Sequence, residues 1–233
     1  MNIGITSLTG GALIYDASRW SADQAEQAFD TSHAHATELR GRGQVRYLCL
    51  TFAEAVLRQY QRGGLVARVS RDWYLWWGTE ATRPFREFRL TAALHAQGLP
   101  VPCPLAARYL RSGLGYRASL ITERIHNADT LADRLLAGRP IDWAAVGRLI
   151  ARFHHQRLWH ADLNAHNVLI DADDRLWLID FDRGRLRPPA ESWMRGNLDR
   201  LKRSLVKLGA LALVESFSTR AWPQLLEAYD RAS

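Results

Sequence analysis

Lysine is almost absent from this chain. Of 31 basic side chains only Lys202 and Lys207 are lysines, so the first 201 of 233 residues carry none. Any function that depends on a lysine in that stretch is excluded. Cysteine is scarce as well: Cys49 and Cys103 show no metal-type spacing and are too few for a multi-bridge scaffold, which favours a reducing compartment. No uncharged apolar run approaches the roughly 18–20 residues of a membrane span, and the opening MNIGITSLTGGALIYDA lacks a basic n-region. The expectation is a protein that is soluble or sits on a membrane surface without crossing it. Internal repeats and low-complexity linkers are also missing, so organisation must be read from changes of pattern.

What is present is globular in proportion. Apolar residues make up 47% and charged residues 24%, which excludes a disordered or fibrous chain. The length suits one unit divisible into two lobes, with ample residues for a core. A net charge of +7, carried by 29 arginines, favours anionic partners: phosphates, nucleic acid or acidic lipid surfaces.

The first half reads as strand-rich with one principal helix. Ser21 is a plausible N-cap for a short helix over ADQAEQAF. Gly41 and Gly43 punctuate the chain before two runs of strand composition, 45–52 and 55–60, expected as an antiparallel pair. Residues 83–97 have helical spacing: Pro84 suits the first turn, Phe85, Phe88, Leu90 and Leu94 supply an apolar stripe, and Gly98 caps it. Pro100, Pro102 and Pro104 then start an extended segment, and Ser112–Gly115 is the turn of a hairpin between 105–110 and 116–122. The second half reads as mainly helical. Thr130 and Asp142 are N-caps, the latter opening an apolar-periodic helix over 143–156. The short runs 168–170 and 176–179 flank Asp171–Asp174, a hairpin by composition, and helical spacing dominates from Asn197 onward. The expected architecture is therefore α+β, with a β-rich lobe at 1–122, a hinge at 123–129 and a helical lobe at 130–233.

The stretch that carries chemistry is His160-Ala161-Asp162-Leu163-Asn164-Ala165-His166-Asn167, followed by Ile179-Asp180-Phe181-Asp182. It contains H-x-D-x-x-x-x-N with a second Asp after a hairpin of fixed length, the arrangement of a kinase catalytic loop (160–167) and metal-binding hairpin (168–182). Phosphoryl transfer needs a carboxylate beside the attacking hydroxyl and oxygen ligands that hold Mg²⁺ against nucleotide phosphates. Asp162 suits the first role; Asn167 and Asp180 suit the second. His160 suits bracing of the loop through hydrogen bonds. Any one of these residues alone is an ordinary loop residue; four typed positions at this spacing are not.

Kinase-like folds also use a glycine-containing turn over the ATP phosphates, a cation on the third strand and a Glu on the next helix that holds it. Gly41-Arg42-Gly43 matches the first weakly, and a plain turn explains it equally well. The cation position reads Ala55-Val56-Leu57-Arg58, placing arginine where most kinases have lysine, with Glu87 as its partner. A surface arginine on an edge strand is the competing reading of Arg58.

At the level of whole segments, Val56–Gly64, Thr82–Phe88, Gly98–Pro102, His160–Asn167 and Leu178–Gly184 resemble the 3-deoxy-D-manno-octulosonic acid (Kdo) kinases, relatives of the lipopolysaccharide core heptose kinases in the protein-kinase-like superfamily. The resemblance spans roughly residues 40 to 190. It implies a two-lobed protein-kinase-like fold that uses ATP and Mg²⁺ to phosphorylate the 4-hydroxyl of a Kdo residue on a lipid A precursor. It also implies a cytoplasmic, peripheral location on the inner membrane surface. Arg58 in place of Lys is normal for the family; Asp182 replaces the Gly of D-F-G.

Arg183, Arg185 and Arg187 follow the metal Asp, where a kinase positions its acceptor, and suit a sugar carboxylate or lipid phosphate. Alternate arginines on a solvated loop are the bland alternative. Trp73, Trp76 and Trp77 with Tyr74 form an aromatic cluster that suits packing between lobes, sugar stacking or a headgroup layer. His33, His35, His154 and His155 have no metal-type spacing. A basic nucleic-acid-binding protein competes on charge, but the arginines are spread along the chain and the loop motif is left unexplained, so no nucleic acid is expected. An aminoglycoside- or choline-type kinase, or a heptose kinase, would use the same loop.

Overall fold

The computed structural model describes residues 1–30, 34–40, 43–60 and 73–232, with backbone alone for 34–40, 43 and 44. The chain divides into two units: Met1–Ala96 with Pro102–Arg124, and Gln97–Val101 with Ile125–Ser233.

The first unit is built on an antiparallel sheet. Its strands are β1 (Ile3–Leu8), β2 (Gly11–Asp16), β3 (Ala34–Arg40), β4 (Gly43–Cys49), β5 (Glu54–Gln59), β6 (Tyr74–Leu75), β7 (Pro104–Ser112) and β8 (Gly115–Glu123). The spatial order is β1-β2-β7-β8-β5-β4-β3, with the short β6 paired to β8. Helix α1 (Ala22–Gln27) starts at a Ser21 capping box, and α2 (Arg83–Ala96) is the principal helix.

Both faces of this sheet are covered, and strand alternation divides the apolar residues between them. Leu13, Ala106 and Ile121 join Trp20, Ala25 and Phe29 in one layer. Their neighbours Ile14, Ala107 and Leu120 join Phe85, Phe88 and Ala92 of α2 in the other. β2, buried on two faces, shows no polar alternation, and the edge strand β1 turns Ile3 and Ile5 to solvent, so the segment 3–16 carries no hairpin pattern. The stripe of α2 differs from expectation at one place: Leu90 is half-buried, and Thr91 and Ala92 face the core instead. Gly98, at φ 71°, takes the left-handed conformation that follows this helix.

The second unit contains β9 (Asp129–Thr130), α3 (Leu131–Leu136), α4 (Trp143–His155), β10 (Leu158–Trp159), β11 (Val168–Ile170), β12 (Leu176–Leu178), β13 (Arg185–Leu186), α5 (Glu191–Lys207), α6 (Ala210–Leu213) and α7 (Trp222–Ala232). Thr130 and Asp142 cap α3 and α4 with their side chains, as their sequence positions suggested. Helices α4 and α7 pack closely because Gly147 has no side chain: a Cβ there would lie 2.1 Å from the Leu225 carbonyl oxygen. Helix α5 begins at Glu191, six residues before the helical spacing becomes evident, since its first turn carries no buried apolar residue. Among the described residues no helix is long and apolar enough to cross a membrane.

Candidate active site

In the second unit the loop 160–167 leaves α4 through β10 and enters β11. Its alternate residues Leu163 and Ala165 are buried at 1% and 0% exposure. Burial of these small anchors turns Asp162 and Asn164 the other way. Asn164 knits the turn: its Nδ2 donates to the Asp162 carbonyl oxygen at 2.9 Å and to Asp162 Oδ2 at 3.2 Å, and its Oδ1 accepts from His166 N.

His160 is fully enclosed. Its Nδ1 accepts from the Asp162 backbone N–H at 3.2 Å, which places the ring proton on Nε2, and Nε2 donates to the Ile179 carbonyl oxygen at 3.0 Å. Burial pushes its pKa below the ordinary histidine value despite that carbonyl and the nearby carboxylates of Asp180 and Asp162. The ring is neutral and holds the loop to the strand end that carries Asp180, so bracing is what its geometry performs.

Asn167 Nδ2 donates to the Asp162 carbonyl oxygen at 2.9 Å, which orients the amide and turns its oxygen Oδ1 away from that bond. The Asn167 carbonyl in turn accepts from Ile179 N at 3.0 Å. Ile179 is thereby clamped by both His160 and Asn167, and Asp180 follows it. Asp180 takes φ 64°, a conformation rare outside glycine, and such strain concentrates at functional sites. The other left-handed position of this turn is Arg183, at φ 59°; Asp182 is not one, so the turn has no conformational need for glycine there. Phe181 anchors the segment, with its ring 5.5 Å from His160 and 6.2 Å from Phe153.

The hairpin between Asn167 and Asp180 owes its fixed length to Asp171. This 4%-exposed carboxylate accepts from the backbone N–H groups of Asp173 and Arg175, from Arg175 Nε and from Trp177 Nε1. Burial raises its pKa, but these donors outweigh that effect and hold it below the usual carboxylate value.

Three residues of α5 complete the site and were not singled out from the sequence. Asn197, 2% exposed, accepts from His160 N at 3.2 Å on Oδ1 and donates from Nδ2 to the His160 carbonyl oxygen at 2.7 Å. Arg200 Nη1 lies 3.3 Å from Asp162 Oδ1, and Ser204 Oγ accepts from Ala165 N at 2.8 Å. Positions 197, 200 and 204 share one helix face, beside the buried row Leu198, Leu201 and Leu205. A polar row flanking an apolar one was the available signal.

The trailing arginines differ from one another. Arg183 and Arg185 are exposed; Arg183 Nε lies 4.0 Å from Asp182 Oδ2, and Arg185 sits on β13 opposite Trp159. Arg187 is half-buried, with its guanidinium 3.7 Å from the centre of the Trp159 ring.

In the first unit, Arg58 lies on β5 between β4 and β8, so it is not on an edge strand. Its Nη2 pairs with Glu87 Oε1 at 2.5 Å, and the Tyr60 hydroxyl donates to Glu87 Oε2. Glu87 is 3% exposed, and the Arg58 side chain 26%. Gly43 opens β4 opposite Arg40; Gly41 lies outside the described residues.

The donor set suits a hard cation. Asp180 offers carboxylate oxygens and Asn167 an oriented amide oxygen, and no cluster of three or more His, Cys, Asp or Glu side chains suited to a metal occurs among the described residues. Such a cation would complete its shell with phosphate oxygens and water, as Mg²⁺ does in nucleotide sites.

Comparisons with known proteins agree with this chemistry. The model of the lipopolysaccharide kinase (Kdo/WaaP) family matches residues 26–229. A 3-deoxy-D-manno-octulosonic acid kinase from Stenotrophomonas maltophilia (strain R551-3) is 48% identical over 227 residues, covering 95% of this chain and 90% of the relative. The protein of the same name from Xanthomonas oryzae pv. oryzae (strain PXO99A) is 53% identical over 202 residues, covering 85% and 81%. Among solved structures, a glucosamine kinase aligns at 14% identity with a TM-score of 0.48, covering 100% of this chain and 82% of that one. With a β-rich unit followed by a helical one, and with a family match over most of its length, the chain belongs to the lipopolysaccharide kinase (Kdo/WaaP) family.

Proposed function

We propose that the chain transfers the γ-phosphate of ATP to the 4-hydroxyl of a Kdo residue on a lipid A precursor, as a step of lipopolysaccharide inner-core assembly. The observation that carries this reading is the linked geometry of Asp162, Asn167 and Asp180. One hydrogen bond ties Asn167 to the Asp162 backbone, and one backbone step from Ile179 ties Asp180 to Asn167. The acceptor identity comes from relatives that bear the Kdo kinase name at about half identity.

In this reading Asp162 Oδ accepts the hydroxyl proton as the acceptor oxygen attacks, and Arg200 and Asn164 hold that carboxylate in place. Asn167 and Asp180 would hold Mg²⁺, which when bound supplies positive charge beside the phosphate oxygens. Arg58, fixed by Glu87, neutralises charge on the nucleotide phosphates, and Gly41 and Gly43 are assigned to cover them. Positioning and electrostatic stabilisation are the main catalytic effects such a site needs. Arg183, Arg185 and Arg187 are assigned to the acceptor's carboxylate and phosphates, Arg187 from its place on Trp159. The working location is the cytoplasmic face of the inner membrane, held peripherally, with no role for nucleic acid. Nucleotide covering is assigned to the unit Met1–Ala96 with Pro102–Arg124, and catalysis to the unit Gln97–Val101 with Ile125–Ser233.

The test is product analysis. Incubation with Mg·ATP and a Kdo-bearing lipid A precursor is expected to give a Kdo 4-phosphate by phosphorus and proton NMR. Phosphate on a heptose, on lipid A itself or on another Kdo hydroxyl would overturn the assignment.

A further inference from the structure

The tryptophans at 73–77 take no part in the chemistry above, and the structure distributes them around the β7–β8 turn of the first unit. β6 pairs Tyr74 with Tyr116 and Leu75 with Gly115, and Trp76 N donates to the Leu114 carbonyl oxygen at 3.1 Å. Trp73 Nε1 donates to the Ser112 carbonyl oxygen at 2.9 Å, and its ring occupies the space over Gly115, where a Cβ would fall 2.2 Å from it. Tyr74 enters the core and Trp76 packs against that core. The remaining apolar side chains point outward: Leu75 is 44% exposed, Trp77 78% and Leu114 78%.

Large exposed apolar residues scattered singly call for no explanation, but three gathered on one braced turn mark an interaction site. Among the described residues the charge beside this turn has one sign. Arg111, with its guanidinium 4.2 Å over the Trp76 ring, and Arg117 flank the turn on β7 and β8, and both are exposed. Residues 110–117 contain no carboxylate, and 73–89 contain only Glu80, paired with Arg89 at 2.8 Å, and Glu87, buried on Arg58. Tryptophan and leucine at the tip with arginine behind them match the apolar-then-anionic layering of a bilayer interface.

We propose that this turn is a docking surface for an anionic membrane. Trp77, Leu114 and Leu75 enter the interfacial layer, and Arg111 and Arg117 meet the lipid phosphates. The inference rests on the proposed function only in that a lipid-linked acceptor has to be met at a membrane.

The test is co-sedimentation of the full chain with phosphatidylglycerol/phosphatidylethanolamine vesicles and with phosphatidylcholine vesicles, alongside W77S/L114S and R111Q/R117Q. Wild type is expected to partition onto the anionic vesicles. W77S/L114S should bind them about tenfold or more weakly while phosphorylating a water-soluble Kdo acceptor at the wild-type rate, and R111Q/R117Q should lose the preference for anionic lipid. Brominated lipids should quench the tryptophan fluorescence of the wild type. Equal partitioning of wild type and W77S/L114S would overturn the proposal, as would absence of quenching, or a wild-type dimer in sedimentation velocity that W77S/L114S abolishes. A wild type that binds vesicles yet leaves the soluble acceptor unphosphorylated would count against the kinase reading alone.

Discussion

Arg200 on α5 places Nη1 3.3 Å from Oδ1 of Asp162, while Asn164 holds Oδ2 of the same carboxylate at 3.2 Å. The proposed base is thus gripped from a helix nearly forty residues further along the chain. Both side chains are about half exposed, so the pair contributes little to folding, and its consequence is orientation. Arg200→Ala is expected to lower kcat by about ten- to a hundredfold, with KM for ATP and the melting temperature close to wild type, and Arg200→Lys to recover part of the loss. An unchanged kcat in Arg200→Ala would remove Arg200 from positioning.

Asp162→Asn keeps the hydrogen bond from Asn164 but cannot take a proton. Turnover is expected to fall by about a hundred- to ten-thousandfold with Mg·ATP affinity nearly unchanged, read by single-turnover kinetics and calorimetry. Substantial residual phosphorylation would exclude Asp162 as the base.

Asp180→Ala removes the carboxylate presented at φ 64°. Nucleotide binding should lose its dependence on Mg²⁺ in titrations with and without chelator, and identical Mg·ATP affinity in this variant would contradict the metal assignment.

Arg58 lies on an interior strand and is held by a buried Glu87, so its guanidinium is fixed in place. Arg58→Ala is expected to reduce kcat/KM by about a hundredfold or more, on the order of 3 kcal/mol. Wild-type kinetics would mean that the cation comes from elsewhere.

His154, on α4, gives folding a pH signature. His154 Nε2 donates to Asn197 Oδ1 at 3.3 Å and its Nδ1 meets the Tyr229 hydroxyl at 2.8 Å. Burial pushes its pKa down to about 4, against a partial opposing effect from Asn197. Because the folded value lies below the unfolded one near 6.5, the unfolded chain binds the extra proton between those values. Stability conferred at neutral pH is therefore lost as pH falls from about 6.5 towards 4, by on the order of 3 kcal/mol for this group. Thermal unfolding across that range should show a slope that His154→Gln flattens; an unchanged slope would refute the assignment.

Legibility in the sequence tracked locality. The 160–167 loop, the caps at Thr130 and Asp142 and the 105–122 hairpin are encoded by residues close together, and each could be read directly. The hairpin at 3–16 escaped because its period-two signal is lost: β2 buries Ala12, Leu13 and Ile14 on both faces, and the edge strand β1 turns Ile3 and Ile5 to solvent. Asn197, Arg200 and Ser204 escaped because their partners lie about forty residues away, and spacing carries no information about contact across such a separation. The lysine deficit was legible as an absence and the kinase pattern pointed to Arg58 with Glu87 as its substitute; what needed the fold was that β5 is an interior strand and that Glu87 is buried and also held by Tyr60.

The most direct measurement of the central claim is transfer of labelled phosphate from ATP by the purified chain to a panel of Kdo-lipid, aminoglycoside and protein acceptors. The account predicts Mg²⁺-dependent label on the Kdo-lipid alone, abolished in Asp162→Asn. Label on an aminoglycoside or protein with none on the Kdo-lipid would contradict it.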